Sequence, residues 1–427
     1  MKLLQKILGI LARLVLKKYK PRIVGITGSI GKTSAREAVV SILGTKFHVR
    51  GSEKNYNNEL GLPLTIVGAN SGGKNPILWS WVFCKAFRLL FTKCHYPEVL
   101  ALEMGADRPG DIAYLTNIAP PEVGVMTGVS AVHTEFLRDI NGVLEEKRTL
   151  ISVLPPSGMA ILNGDDELVM SVAGKTRARV ITYGFGEKND LRALEFVAHY
   201  RPGEAPDHSG VLMKLVYNGS VVPAKIQGVL GRQHVYAALA GASVGIAFGM
   251  NLIEIAKGLS HYKPPRGRMC LVPGIKKTML IDDTYNASPR ATLEALRALR
   301  EMEIEENARR IAVIGDMKEL GEYTEEGHRG VGEYVAKAGI DILVTVGELA
   351  RDIARGALHT GMLAENIFEF TDRDEAGLFV QKELREGDVV LLKGSQGARM
   401  EKITKELMAD PLRAKELLVR QNKEWEN

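Results

Sequence analysis

The sequence predicts two α/β domains in series: a parallel sheet with a small antiparallel patch, then a Rossmann-like α/β domain. Three observations predict this. Short apolar runs alternate with helix-period segments from Arg22 onward. Between Leu191 and Gln227 the alternation gives way to strands broken by Pro202-Gly203, Pro206 and Asn218-Gly219. Beyond Lys263-Pro264-Pro265-Arg266-Gly267-Arg268, whose proline and glycine content suits a linker, the strand-and-helix alternation resumes.

Taken in order, Met1 to Lys20 form a basic helical arm. On a helical wheel Leu3, Leu4, Ile7, Leu8, Leu11, Leu14 and Val15 share one face, and Lys2, Lys6, Arg13, Lys17 and Lys20 the other. Lys6 and Arg13 interrupt the apolar run and no small-residue cleavage site follows, so the arm reads as retained rather than as a signal peptide. The first domain is expected over residues 21–264, with strands at Ile23 to Thr27, Val99 to Glu103 and Val123 to Thr127, and helices from Lys32 and around Val235 to Phe248. The second, residues 265–427, carries strands at Met279 to Asp283, Arg310 to Ile314, Ile342 to Val346 and Val389 to Leu392.

Composition narrows the function. With 427 residues, 45% hydrophobic and 25% charged, the chain is globular and long enough for more than one core. Its net charge of +5 is exceeded by the six basic residues Lys2, Lys6, Arg13, Lys17, Lys18 and Lys20, so the body is near neutral and a broad nucleic-acid footprint is excluded. Cys84, Cys94 and Cys270 are too few and scattered for a disulfide framework, which fits a reducing cytoplasm. No apolar stretch is long enough to span a bilayer. The segment Ile77 to Tyr96, rich in Trp and Phe and free of acidic residues, joins the N-terminal arm in two readings: the two cover each other as a core, or they dock on an anionic inner membrane face.

The chemistry begins at Gly28-Ser29-Ile30-Gly31-Lys32-Thr33-Ser34, where an apolar strand precedes and a helix follows. At such a turn backbone N–H groups point at phosphate oxygens, the lysine reaches the outer phosphates and the threonine hydroxyl meets magnesium. The full Walker spacing is missed, because Ile26 stands where its first glycine belongs. Glu103 ends a neighbouring apolar strand, where phosphoryl transfer needs an acid for the metal. Taken alone, His133 reads as a structural histidine, and Lys147, in Glu145-Glu146-Lys147-Arg148, as part of a solvated helix face.

The series Thr27 to Thr33, then Asn55-Tyr56-Asn57-Asn58-Glu59-Leu60-Gly61-Leu62-Pro63, then Leu102 to Ala106 resembles the Mur ligase family. Asp282-Asp283-Thr284-Tyr285-Asn286-Ala287-Ser288-Pro289, Gly315 to Gly321 and Lys393-Gly394-Ser395 resemble the branch that adds D-alanyl-D-alanine to a UDP-muramoyl-peptide in peptidoglycan precursor synthesis. The resemblance implies an ATP-dependent ligase in which ATP phosphorylates a carboxylate and an amine attacks the acyl phosphate. It implies Lys32 on the β and γ phosphates, Thr33 and Glu103 on a first Mg2+, and His133 with a carbamate on Lys147 on a second. Asn57 and Asn58 would line the nucleotide region, Asp283 and Asn286 would close over it, Arg268 would mark the hinge, and Lys393 the acceptor side. Two departures stand out. Only Met1 to Pro21 precede the first strand, where the family's three-domain members carry a UDP-sugar-binding domain. Gln233, His234 and Ala237 stand where the adenine-side helix usually has His, Asn and Asn, which leaves His234 as the adenine-side candidate. Alternatives are a ligase for another acid and amine, as in folylpolyglutamate synthetases, and a non-ligating nucleotide-dependent scaffold.

Overall fold

The computed structural model describes residues 2–52, 56–130, 139–199, 209–422 and 425. The chain divides into two compact units. The first holds residues 1–196, 213–225 and 233–263, and the second 197–212, 226–232 and 264–427.

The first unit is built on β1 (Arg22–Thr27), β2 (Val49–Gly51), β3 (Val99–Glu103), β4 (Val123–Met126), β5 (Met159–Asn163) and β6 (Arg179–Gly184). The ribbon β7 (Leu191–His199), β8 (Gly210–Tyr217) and β9 (Ser220–Gln227) extends the sheet, giving the order β2-β3-β1-β4-β5-β6-β7-β8-β9. β1 lies between β3 and β4 and is parallel to both, with Ile23 opposite Leu100 and Val24 opposite Val123. Its Ile23, Val24 and Ile26 are buried, as strands covered on both faces require. The chain thus departs from β1 first to one side and later to the other, which creates a switch point above its carboxyl end. At the far edge Asn218 (φ 46°) and Gly219 (φ 79°) are both left-handed, the geometry of a type I′ turn, and they join β8 to β9.

Helices cover this sheet: α1 (Lys2–Tyr19), α2 (Lys32–Leu43), α3 (Gly61–Val67), α4 (Pro76–Phe91), α5 (Asp111–Ile118) and α6 (Ile140–Ser152). One core joins Leu62 and Ile66 of α3, Leu100 and Leu102 of β3, and Leu150 of α6 to Leu11, Ala12, Val15 and Leu16 of α1 and Ala86 and Leu89 of α4. The reading in which the arm and the aromatic segment cover each other therefore describes their inner faces. The apolar side of α1 is wider than the core it meets: Leu8, Leu11 and Val15 are buried, while Leu3, Ile7, Ile10 and Leu14 are exposed. No described helix is long and apolar enough to cross a membrane.

The second unit holds β10 (Cys270–Pro273), β11 (Met279–Asp283), β12 (Arg310–Gly315), β13 (Ile342–Val346), β14 (Ile367–Phe370) and β15 (Val389–Lys393) in the order β10-β11-β15-β12-β13-β14. β10 is antiparallel to β11, and the other pairings are parallel. Alternation along the strands gives each face its own core. Ile281, Ala312, Ile314 and Leu391 pack on one side with Leu296 and Leu299 of the helix Pro289–Glu301, whereas Leu280, Val313, Val390 and Leu392 pack on the other with Val380 and Ile403.

Candidate active site

The loop after β1 is shaped by what lies behind it. Gly28 (φ 145°) and Gly31 (φ 85°) take conformations that L side chains rarely adopt, and a Cβ on Gly28 would stand 2.0 Å from the Thr127 Oγ1. The Thr127 hydroxyl lies 2.5 Å from the Ile30 carbonyl and 3.2 Å from that of Thr27, and the Ser29 N–H donates to the Gly128 carbonyl at 2.7 Å. The end of β4 is therefore the back wall of the turn. Lys32 opens α2 and folds back to donate to the Gly28 carbonyl at 2.7 Å. Ser34, two residues on, is buried.

Parallel pairing of β1 and β3 carries Glu103 to the same end of the sheet, where Ile26 and Glu103 are register partners. Its buried carboxylate accepts from the Thr33 hydroxyl at 3.1 Å and from the Asn57 amide at 3.3 Å, and Arg36 stands 3.5 Å away. Arg36 also pairs with Glu37. A hydroxyl and a carboxylate beside a phosphate-type loop are hard oxygen donors suited to Mg2+. Among the described residues no group of three or more His, Cys, Asp or Glu stands close enough to hold a metal ion.

Lys147 corrects the solvated-face reading of α6. It is 2% exposed, and its neighbour Glu146 is buried too. Burial, then the positive charge of Lys32, push its amine down to about 7, against the opposing pull of Glu146 and Asp107. Glu146 accepts from the backbone N–H groups of Gly110 (2.8 Å) and Ile112 (2.7 Å), so it caps α5 from another element.

The remaining first-unit candidates fall differently. The Asn58 side-chain oxygen accepts from the Leu60 and Gly61 N–H groups (3.2 and 2.9 Å), holding the start of α3. His234 is fully buried in the helix Arg232–Ala247 with its Nδ1 3.2 Å from the Tyr262 hydroxyl. His133 lies outside the described residues.

In the second unit the register partners Asp283 and Lys393 end adjacent parallel strands. The Lys393 amine donates to the Asp283 carboxylate at 2.6 Å and to the Asn286 carbonyl at 3.0 Å, and the Met269 N–H donates to the other Asp283 oxygen at 3.2 Å. Burial raises the Asp283 carboxyl, opposed by Lys393 and Arg268. Arg268 lies over the Tyr285 ring at 4.2 Å. Next to this pair, Asp282 is wholly buried, accepts from Thr284 (2.7 Å) and Thr404 (3.3 Å), and is pushed up to about 7 by burial above all.

Sequence reasoning missed Arg36, Thr127, Glu146 and Asp282. Two of them left a signal: Arg36 is three residues beyond Thr33, hence on the same helix face, and Asp282 opens the run that ends at Pro289.

A pinched phosphate-type turn with an acid-and-hydroxyl pair at its side, in a chain with a second parallel α/β unit, defines a P-loop nucleotide-dependent enzyme. The chain belongs to the Mur ligase family: the Mur ligase middle domain matches residues 86–245, and the Mur ligase glutamate ligase domain matches residues 267–396. It is accordingly an ATP-dependent, ADP-forming ligase. The UDP-N-acetylmuramoyl-tripeptide–D-alanyl-D-alanine ligase of Mycobacterium tuberculosis (strain ATCC 25618 / H37Rv) is 30% identical over 91% of this chain and 73% of its own length. That of Bacillus subtilis (strain 168) is 29% identical over 94% of this chain and 79% of its own. Among solved structures, the MurF ligase of Thermotoga maritima in complex with ADP superposes with a TM-score of 0.76 at 26% identity, covering 94% of this chain and 83% of that one.

Proposed function

We propose that this ligase joins D-alanyl-D-alanine to the carboxyl end of a UDP-muramoyl-tripeptide. The observation that carries the substrate assignment is the extent of the similarity, which runs through both units to relatives bearing that activity in their names. In this reading the N–H groups of Gly28 to Thr33 and the Lys32 ammonium receive the phosphates of ATP, and Lys32 exchanges the Gly28 carbonyl for a phosphate oxygen. Thr33 and Glu103 would hold Mg2+, which when bound neutralises charge developing on the phosphates. Asn57 orients Glu103, and Arg36 limits the repulsion between that carboxylate and the phosphates.

Lys147 acts in a modified form. An amine lowered to about 7 is substantially neutral at physiological pH, and the neutral amine is what adds to carbon dioxide. A nitrogen–carbon bond forms, one proton leaves, and a buried would-be cation becomes a carboxylate able to serve a second Mg2+ together with His133. Asn58 supports the nucleotide region by holding the start of α3, and His234, buried against Tyr262, acts from behind its helix rather than by touching a base. In the second unit Asp283, Asn286 and Arg268 are the nucleotide candidates, and Lys393 is the acceptor-side amine, held by Asp283 and the Asn286 carbonyl.

Phosphate release from ATP and Mg2+ tests the reading. Release is expected only when UDP-muramoyl-tripeptide and D-alanyl-D-alanine are both present, and Lys32→Ala abolishes it. Release without an amine would point to a hydrolytic switch, and silence until another acid or amine is supplied would point to a redirected ligase.

A further inference from the structure

Helices α1 and α4 lie side by side in the first unit. Leu8 shares a cluster with Val82, Leu11 and Val15 share one with Ala86 and Leu89, and the Lys18 amine donates to the carbonyls of Leu89 (2.7 Å), Leu90 (3.0 Å) and Thr92 (2.6 Å). The two helices therefore run parallel, and Lys18 ties their carboxyl ends together. Around α1, at 100° per residue, three faces follow one another. Ala12 and Leu16 point to the core, Leu8, Leu11 and Val15 toward core and α4, and Leu3, Ile7, Ile10 and Leu14 to the outside. On α4, Val82, Ala86 and Leu89 are buried, and Ile77, Trp81, Phe87 and Phe91 are exposed. In a parallel pair packed on one core, the sides away from that core coincide, so the two exposed rows form one platform.

The exposures are large: 54% for Ile10, 71% for Trp81 and 81% for Phe91. A contiguous apolar surface of this kind marks an interaction site. Its charge identifies the occupant. Lys6, Arg13 and Lys17 are exposed on α1, and Lys85 and Arg88 on α4. No Asp or Glu occurs between Met1 and Arg36, or between Leu60 and Pro97. Aromatic and aliphatic side chains on two helices that carry cations and no acidic residue match the headgroup boundary of an anionic bilayer, where rings enter the acyl margin and lysines meet phosphates.

We propose that the α1/α4 platform docks this enzyme on anionic phospholipid membranes. The inference stands apart from the substrate assignment, since it uses no residue of the nucleotide site.

Co-sedimentation of the full chain with phosphatidylglycerol–phosphatidylcholine vesicles, against phosphatidylcholine alone, tests it. Binding is expected only to the anionic vesicles, falling as salt rises, with a blue shift of tryptophan emission that is reduced in Trp81→Phe. Arg13→Gln with Lys17→Gln should weaken binding by about twenty-fivefold, at roughly fivefold per basic residue. Trp81→Ser with Phe91→Ser should abolish it while leaving phosphate release intact. Equal binding to both vesicle types, or none, overturns the proposal. Self-association that the Ser variants abolish, without vesicle binding, would assign the platform to a second copy of the chain instead.

Discussion

At the scale of single residues, Lys147 makes the sharpest prediction. Its amine titrates near 7 in the folded chain and near 10.4 when unfolded, so folding is disfavoured by its protonation below 7, and that cost is relieved as pH rises toward 10.4. In buffer free of carbon dioxide the native chain should therefore gain stability relative to Lys147→Met between pH 7 and pH 9, by up to about 1.4 kcal/mol per pH unit. Parallel stability curves for the two proteins over that range would contradict the shift. Adding bicarbonate should raise turnover of the native enzyme and do nothing for Lys147→Met, which should be inactive. The sequence alone could not supply this behaviour. A lysine flanked by Glu145, Glu146 and Arg148 has the look of a water-facing helix turn, and only tertiary packing, which brings Lys32 and Asp107 near it, puts it inside. The phosphate loop was legible because glycine spacing and a strand-to-helix change are local properties. Thr127, nearly a hundred residues further on, left no local mark.

Among elements, α5 depends on a partner for its start. Gly110 precedes it in a left-handed conformation (φ 94°) with no side chain to accept the first N–H groups, and Glu146 fills that role from α6. Glu146→Ala should lower stability by about 1–3 kcal/mol, since two donors lose a charged acceptor. Urea denaturation would check it, and an unchanged midpoint would mean that water replaces the carboxylate without loss. The central strands were legible: β3, β11 and β13 match the expected runs residue for residue, because a buried parallel strand is mostly apolar, whereas β2, β5, β6, β10 and β14 were not placed. Helix faces were less so. The wheel grouped Leu3, Ile7 and Leu14 with Leu8 and Val15 as one apolar side of α1, but hydrophobicity does not tell which part of a broad apolar arc meets a core.

For the whole molecule, each unit has a core of its own, Leu100 in the first and Leu296 in the second. Truncating either to alanine should cost about 2–5 kcal/mol. Scanning calorimetry should resolve two transitions, Leu100→Ala lowering one and Leu296→Ala the other. A single transition displaced by both would indicate that the units melt together. The proline-rich run at 263–268 spans the point where the first unit ends and the second resumes, whereas nothing in the sequence marks the allotment of 197–212 and 226–232 to the second unit, since ribbon strands carry the same alternation wherever their ends pack. The turn clasped by Thr127 and Gly128 has a last consequence. Its backbone is held by the residues that end β4, so in the proposed role a nucleotide arriving there would meet a finished receptor and need not order a loop as it binds. Association should then be limited by encounter and by release of Lys32 from its own backbone, and the same rigidity leaves the loop little freedom to adapt to anions of another shape.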